Sequence, residues 1–183
     1  MGRQILVLGS NQSGKSRFAE KLISCTEGKR HYIATMISST EDNAFHIKKH
    51  IKQREGLGFE THELPYSFAG LELEADSVVL LEDVSNLLAN LIFDKGLGSE
   101  TVLGEINKLR ENCALLVIVS IHGLSTQGYE GETAQYINAL NSVNSKLLES
   151  SDTVVAMEER VPVIKKGEID FADKSVLDSV VHI

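Results

Sequence analysis

Apolar residues recur along the chain in two rhythms. The runs QILVL (residues 4–8), HYIAT (31–35), FETHEL (59–64), SVVLLE (77–82), ALLVIVS (114–120), DTVVAM (152–157) and VPVIK (161–165) are short, and several are continuously apolar. That is the mark of strands covered on both faces in a parallel sheet. Between them, apolar positions spaced three and four apart predict helices over about residues 15–24, 41–55, 84–94, 100–111 and 132–150. Strand and helix in alternation imply right-handed crossovers and a three-layer α/β/α sandwich with a mostly parallel sheet. Pro65 and Pro162 fall at element edges, where a missing N–H does least harm. No boundary divides the pattern, so residues 1–183 read as one domain, with FADKSVLDSVVHI at the end as an appended tail.

Composition narrows the function classes. A chain of 183 residues, 42% hydrophobic and 24% charged, is ordinary for a globular domain, and a fold of this size buries roughly 70% of the surface of its unfolded chain. The formal charge of −8 argues against a nucleic-acid binder, whose affinity scales with clustered Lys and Arg. Cys25 and Cys113 lie far apart with no metal-ligand spacing, so reduced thiols in a cytoplasmic protein are the simplest reading. The N-terminal run ILVL is too short for a signal sequence or a membrane span.

The strongest chemical signal is GSNQSGKS, residues 9–16, placed after the first strand and opening the first helix. It fits GxxxxGK[ST] in full, the phosphate loop of P-loop nucleotide-binding proteins. Gly9 and Gly14 let the backbone wrap closely, so that the amides of Ser10, Asn11, Gln12, Ser13 and the helix N-terminus can face phosphate oxygens. Lys15, expected on a solvent-facing loop, would neutralise the β- and γ-phosphates of ATP or GTP, the Ser16 hydroxyl would ligate Mg2+, and Arg17 follows on the helix. A carboxylate at the end of a buried strand should complete the site. SVVLLED offers Glu82 for the metal or as a base, and Asp83 for capping the next helix.

His46, His50 and His62, half of the chain's six histidines, crowd into FHIKKHIKQREGLGFETHELP. Ala44, Ile47 and Ile51 would face the core, while His46 and His50 sit four apart on another face, with Lys48, Lys49, Lys52 and Arg54 nearby. Three readings stay open on these residues alone. They are a solvated basic face; a metal pair, although a third ligand and an HExxH glutamate are missing; or a nucleophilic imidazole that attacks the α-phosphorus of a nucleotide, with the cations stabilising the developing charge.

GSNQSGKSRFAEKL, YIAT, IKKHIKQRE, FETHELP and VVLLEDVSNLLANLIF, in that order, together resemble the bifunctional adenosylcobinamide kinase and adenosylcobinamide-phosphate guanylyltransferase family of cobalamin biosynthesis. The likeness runs over roughly residues 4–93 and returns at VNSKLLESSDTVV and VPVIKKG. It implies a RecA-like P-loop fold, a trimeric assembly and two steps. The γ-phosphate of a nucleoside triphosphate passes to the aminopropanol hydroxyl of cobinamide, and GTP then guanylylates a histidine that hands GMP to the corrinoid phosphate. On this resemblance His50 takes the histidine position and Arg54 the trailing arginine. His46 falls where the family has its leading arginine, Glu63 and Pro65 fall on its E–x–P, Glu82 on the acidic strand end, and Asn90 on the helix asparagine.

The chain also departs from the family pattern. Ile121, His122 and Gly123 stand where an Asn-Glu-Val-Gly turn is usual, Tyr136, Ile137 and Asn138 replace a Phe-Arg-Asp triplet, and Phe59 replaces a tryptophan. Two other readings therefore accompany the bifunctional one. One is a kinase acting only on a small alcohol, and the other is a non-catalytic nucleotide-binding protein.

Overall fold

A computed structural model describes residues 1–37, 52 and 55–169. Most of the helix expected over 41–55, with His46, His50 and Arg54, and the C-terminal tail lie outside the described residues. The elements run β1 (Arg3–Gly9), α1 (Lys15–Ser24), β2 (Arg30–Ala34), β3 (Phe59–Glu63), β4 (Val78–Glu82), α2 (Val84–Lys95), α3 (Ser99–Glu111), β5 (Leu115–Ile121), α4 (Gly131–Ser150), β6 (Thr153–Glu158) and β7 (Val161–Lys166). The strands form one sheet of seven in the order β3-β2-β4-β5-β1-β6-β7. Every neighbouring pair is parallel except β6–β7, an antiparallel hairpin at the edge. Pro162 sits in that edge strand opposite Met157, a place where a missing N–H costs no central ladder bond.

The continuously apolar strands are those with helices on both sides. Alternate residues Leu6, Leu8, Ile33, Val79, Leu81, Leu116 and Ile118 join a core with Leu87, Leu88, Ile106, Leu140 and Leu147 from α2, α3 and α4. The intervening Ile5, Val7, Tyr32, Leu80, Val117 and Val119 pack on Phe18, Ala19, Leu22 and Ile23 of α1. Phe18 and Leu22, four apart, lie on one face of α1 and are fully buried, each stabilising the fold by roughly 1.5–3 kcal/mol. No helix among the described residues is long and apolar enough to cross a membrane.

Because β1, β4, β2 and β3 run the same way, their C-terminal ends share one edge of the sheet. Gly9, Glu82, Ala34 and Glu63 all arrive there, with Ala34 in register with both Glu82 and Glu63. In open parallel sheets this is the edge where ligands bind.

Candidate active site

The phosphate loop is shaped by two glycines with different tasks. A Cβ on Gly9 would stand 2.1 Å from Ser13 Oγ, so only glycine lets the loop fold back over the end of β1. Gly14 caps α1 at φ 88°, a left-handed conformation that glycine adopts without strain. Between them the amide of Ser13 donates to the Ser10 carbonyl at 3.3 Å, and Gln12 takes a positive φ of 58°. Among the described residues no side chain caps α1, so its first amides and the positive end of its dipole are left for an anion.

Ser10, Asn11, Gln12 and Arg17 are exposed on the rim of this loop, whereas Gly9, Ser13 and Lys15 are buried. For Lys15 this corrects the expectation from sequence. It is only 7% exposed, and its Nζ lies 3.5 Å from the Ser10 carbonyl. The loop wraps over the first turn of α1 and holds the ammonium inside the cradle.

The acidic strand end closes the other side. Ser16 Oγ donates to Glu82 Oε1 at 2.6 Å. Glu82 Oε2 is buried and has no hydrogen-bond partner among the described residues, and the same holds for Ser13 Oγ. Burial, followed by the adjacent Asp83 charge, pushes the Glu82 carboxyl up to about 8, against the smaller opposing pulls of Ser16 and Lys15. Glu20 on α1, which the sequence did not bring forward, adds a third negative charge in the same direction.

Asp83 does a different job. It is the N-cap of α2, and its Oδ1 accepts from the Asn86 amide at 2.9 Å and from Ser85 Oγ at 2.6 Å. Thr35, the last residue of YIAT, braces the turn between Glu82 and Asp83. Its hydroxyl accepts the Asp83 amide at 2.9 Å and lies 2.8 Å from the Asp83 carbonyl, to which it donates. Asn90 Nδ2 then donates to the carbonyls of Thr35 (2.8 Å) and Pro65 (2.9 Å) and so ties the ends of β2 and β3 to α2.

Glu63 ends β3 at the same edge and is exposed. With β2 between them, it stands roughly 10 Å from the Glu82 backbone at ~4.8 Å per strand spacing. The one described histidine of the crowded segment, His62, does not reach this edge. Its Nε2 lies 3.0 Å from Nδ1 of His31.

Beside the phosphate loop opens a cavity of about 510 Å³ lined by Gly123, Leu124, Tyr129, Thr133, Tyr136 and Ile137 among others. Its walls are anchored to the loop and to α2: the His122 amide donates to the Gly9 carbonyl at 3.3 Å, and Tyr136 Oη donates to the Ser85 carbonyl at 3.1 Å. Burial, with help from Asp83, raises the Tyr136 phenol to about 12, so it stays a protonated donor. Leu124 and Tyr129 leave apolar surface exposed at the mouth. Gly123, Tyr136 and Ile137, three of the positions where the chain departs from the pattern it resembles, line this cavity, whereas Phe59 packs on Tyr32 of β2.

Among solved structures, the chain is similar to an ATPase domain, with a TM-score of 0.49 and 8% identity over 90% of this chain and 77% of that one. It is also similar to a prototypical ATPase from the type III secretion system of pathogenic bacteria, with a TM-score of 0.50 and 8% identity over 96% of this chain. It spans 61% of that ATPase's length. At such identity the second likeness speaks for the fold alone, a RecA-like P-loop α/β/α sandwich. No curated protein matches in sequence. Compared with known families, residues 5–164, most of the chain, match the family described as cobinamide kinase / cobinamide phosphate guanyltransferase. With the phosphate loop, the Ser16–Glu82 pair and the sheet order already in place, the chain belongs to this family of cobalamin-biosynthesis transferases.

Proposed function

We propose that the protein phosphorylates the aminopropanol hydroxyl of adenosylcobinamide with ATP or GTP and then transfers GMP from GTP to the new phosphate. The observation that carries the first step is the cradle: uncapped helix amides, a buried Lys15 and the Ser16–Glu82 pair converge on one space at the sheet edge. The loop amides and Lys15 hold the β- and γ-phosphates while the alcohol oxygen bonds to the γ-phosphorus and the bond to the leaving diphosphate breaks. In its ionised form the Glu82 carboxylate can take the alcohol's proton, and a value near 8 makes it a stronger base than an ordinary carboxylate. A hydroxyl and a carboxylate with one buried, unpartnered oxygen fit a hydrated magnesium ion. Ser16 and Glu82 would hold it, and when bound it supplies charge neutralisation at the phosphate oxygens. The corrinoid arm enters through the cavity walled by Leu124, Tyr129 and Tyr136.

In the second step the imidazole of His50 displaces pyrophosphate from the α-phosphorus of GTP. An oxygen of cobinamide phosphate then attacks the guanylyl phosphorus and releases His50. The assignment of His50, of Arg54 as its cationic partner, of Glu63 as a nucleotide contact, and of a cytoplasmic homo-trimer rests on the family resemblance. A kinase-only enzyme acting on another alcohol is the second reading, favoured by the replaced residues Gly123, Tyr136 and Ile137 on the acceptor wall.

Incubation with α-labelled GTP alone, and with γ-labelled ATP plus cobinamide, tests both. The expected result is acid-labile, alkali-stable label on the protein in the first case, lost in His50→Ala but kept in His46→Ala, and labelled cobinamide in the second. Labelled cobinamide without protein label selects the kinase-only reading. The absence of both labels sinks the proposal.

A further inference from the structure

Where β2 and β3 lie side by side, the sheet carries a polar cluster that neither transfer step uses. Parallel register sets His31 beside Glu60 and Ile33 beside His62, so Glu60 and His62 of the edge strand β3 share a face with His31 of β2. His31 lies roughly 10 Å from Ala34 at the catalytic edge, three residues at ~3.3 Å each, whereas His62 is the residue before Glu63. His31 is fully buried, His62 is half-buried and Glu60 is exposed.

We propose that His31, Glu60 and His62 form a binding site for a divalent transition-metal ion of the zinc class, which staples the edge strand β3 to β2. One ligand atom from each of the three lies within 4.8 Å of the others. His31 Nδ1 and His62 Nε2 are 3.0 Å apart, and Glu60 Oε1 is 3.7 Å from His62 Nε2. Two nitrogens bound tetrahedrally at ~2.0–2.1 Å stand roughly 3.3 Å apart, so the pair needs to open by only a few tenths of an ångström. Two imidazoles and one carboxylate leave a fourth position for water on the exposed Glu60 side.

The outer partners are already in place. His31 Nε2 faces Ser77 Oγ at 3.3 Å and Glu74 Oε2 at 3.7 Å, the hydroxyl–carboxylate arrangement that orients a metal-binding imidazole. These partners put the His31 proton on Nε2 and leave Nδ1 bare. In the metal-free protein, His62 donates its Nε2 proton to that nitrogen. On metal binding the His62 proton moves to Nδ1 by exchange with water, and both facing nitrogens become ligands with no net proton released. Burial, with the neighbouring His62, lowers the His31 pKa below the usual histidine value, which keeps the ring neutral at pH 7. Lys29 bridges Glu60 (3.3 Å) and Glu74 (3.0 Å). Its ammonium is half exposed and swings to Glu74 alone when Glu60 binds the ion. Since β2 and β3 flank residues 35–58, the staple would fix both ends of the segment that contains His46 and His50.

Zn2+ is titrated into the full chain against a chromophoric chelator, and Co2+ is used for its absorption spectrum. One ion per chain and an intense four-coordinate Co2+ spectrum are expected. In His62→Gln and Glu60→Gln the affinity should fall by at least roughly 100-fold, beyond the 10–100-fold loss of an outer-shell partner expected for Ser77→Ala. His122→Ala, exposed and elsewhere, should bind as the wild type does. Metal-free His62→Gln should melt close to the wild type, and only the wild type should gain thermal stability from Zn2+. Absence of a stoichiometric site at micromolar Zn2+ would overturn the proposal. So would a site that survives His62→Gln and disappears in His46→Ala or His50→Ala; the histidine pair would then be a hydrogen-bonded brace between two strands.

Discussion

Thr35→Val probes the brace behind the acidic turn. Valine keeps the shape of a side chain that is fully buried and removes only the hydroxyl. Of the three backbone groups that the hydroxyl meets, two retain a partner: the Glu82 carbonyl still accepts the Thr35 amide at 3.0 Å, and the Asp83 carbonyl still accepts the Leu87 amide at 3.2 Å. The Asp83 amide, 2.9 Å from Thr35 Oγ1, loses this acceptor inside a buried turn. A stranded buried donor costs about 1–3 kcal/mol, and the weakened carbonyl contacts bring the expected loss to about 2–3 kcal/mol. For a chain of this size that corresponds to a fall in Tm of about 4–12 °C, read by circular dichroism. Glu82 leaves its position against Ser16, and a misplacement of the order of 1 Å lowers triphosphate turnover by up to about 100-fold. Thr35→Ser restores the hydroxyl and loses one methyl group, about 1 kcal/mol, and should recover most of the turnover. The reasoning fails if valine is as stable and active as threonine, or if serine is as poor as valine.

Other expectations follow from the same geometry. Lys15→Ala should lower phosphoryl transfer by about 10²- to 10³-fold, the loss of one preorganised cation, with the phosphorylation assay as readout. Glu82→Gln should also cut turnover, with a Tm close to that of the wild type, because a carboxyl raised to about 8 is largely uncharged at pH 7 and the amide keeps its shape. Asp83→Ala should instead act on stability, costing about 0.5–2 kcal/mol as a lost helix cap, measured by urea denaturation. Glu105 is pushed up by burial, yet hydrogen bonds from Lys108, the Phe68 amide and Ser67 hold it below the ordinary carboxylate pKa. Its contribution is therefore complete above about pH 4.5 and lost as pH falls through the native value; Glu105→Gln should flatten the acid limb of a Tm–pH profile.

What the sequence made legible is what local rules decide. The seven strands fall within about a residue of their expected runs; for the central strands this is because burial on both faces demands uninterrupted Val, Ile and Leu, whereas β3 and β7 are exposed edge strands. The phosphate loop is legible because its glycines are required locally, by a positive φ at Gly14 and by the approach of Ser13 to Gly9. The burial of Lys15 is not legible locally, because it comes from the loop folding over it. The facing of His31 and His62 depends on the register of β2 against β3, which no local pattern states. Thr35 stood in plain view within YIAT, but the two backbone groups of Asp83 that its hydroxyl serves are 48 positions away.

Glu82 and Asp83 show how one position in the chain separates two roles. Side chains alternate across a strand, so Glu82 points to the same face as Leu80, which packs in the α1 core. That face carries Ser16 in the first turn of α1, and the 2.6 Å contact follows from the phase of the strand. Asp83 has left the ladder. Its backbone is extended at φ −135° while the next residue is helical, the conformation in which a short carboxylate reaches back to the amide three residues on. Exchanging the two residues would put the shorter Asp side chain on the Ser16 face and the longer Glu at the cap, where it fits the Asn86 amide less well. Glu before Asp is therefore the order in which this turn serves both the phosphate site and the start of α2, and Thr35 and Asn90 hold that turn in place for both.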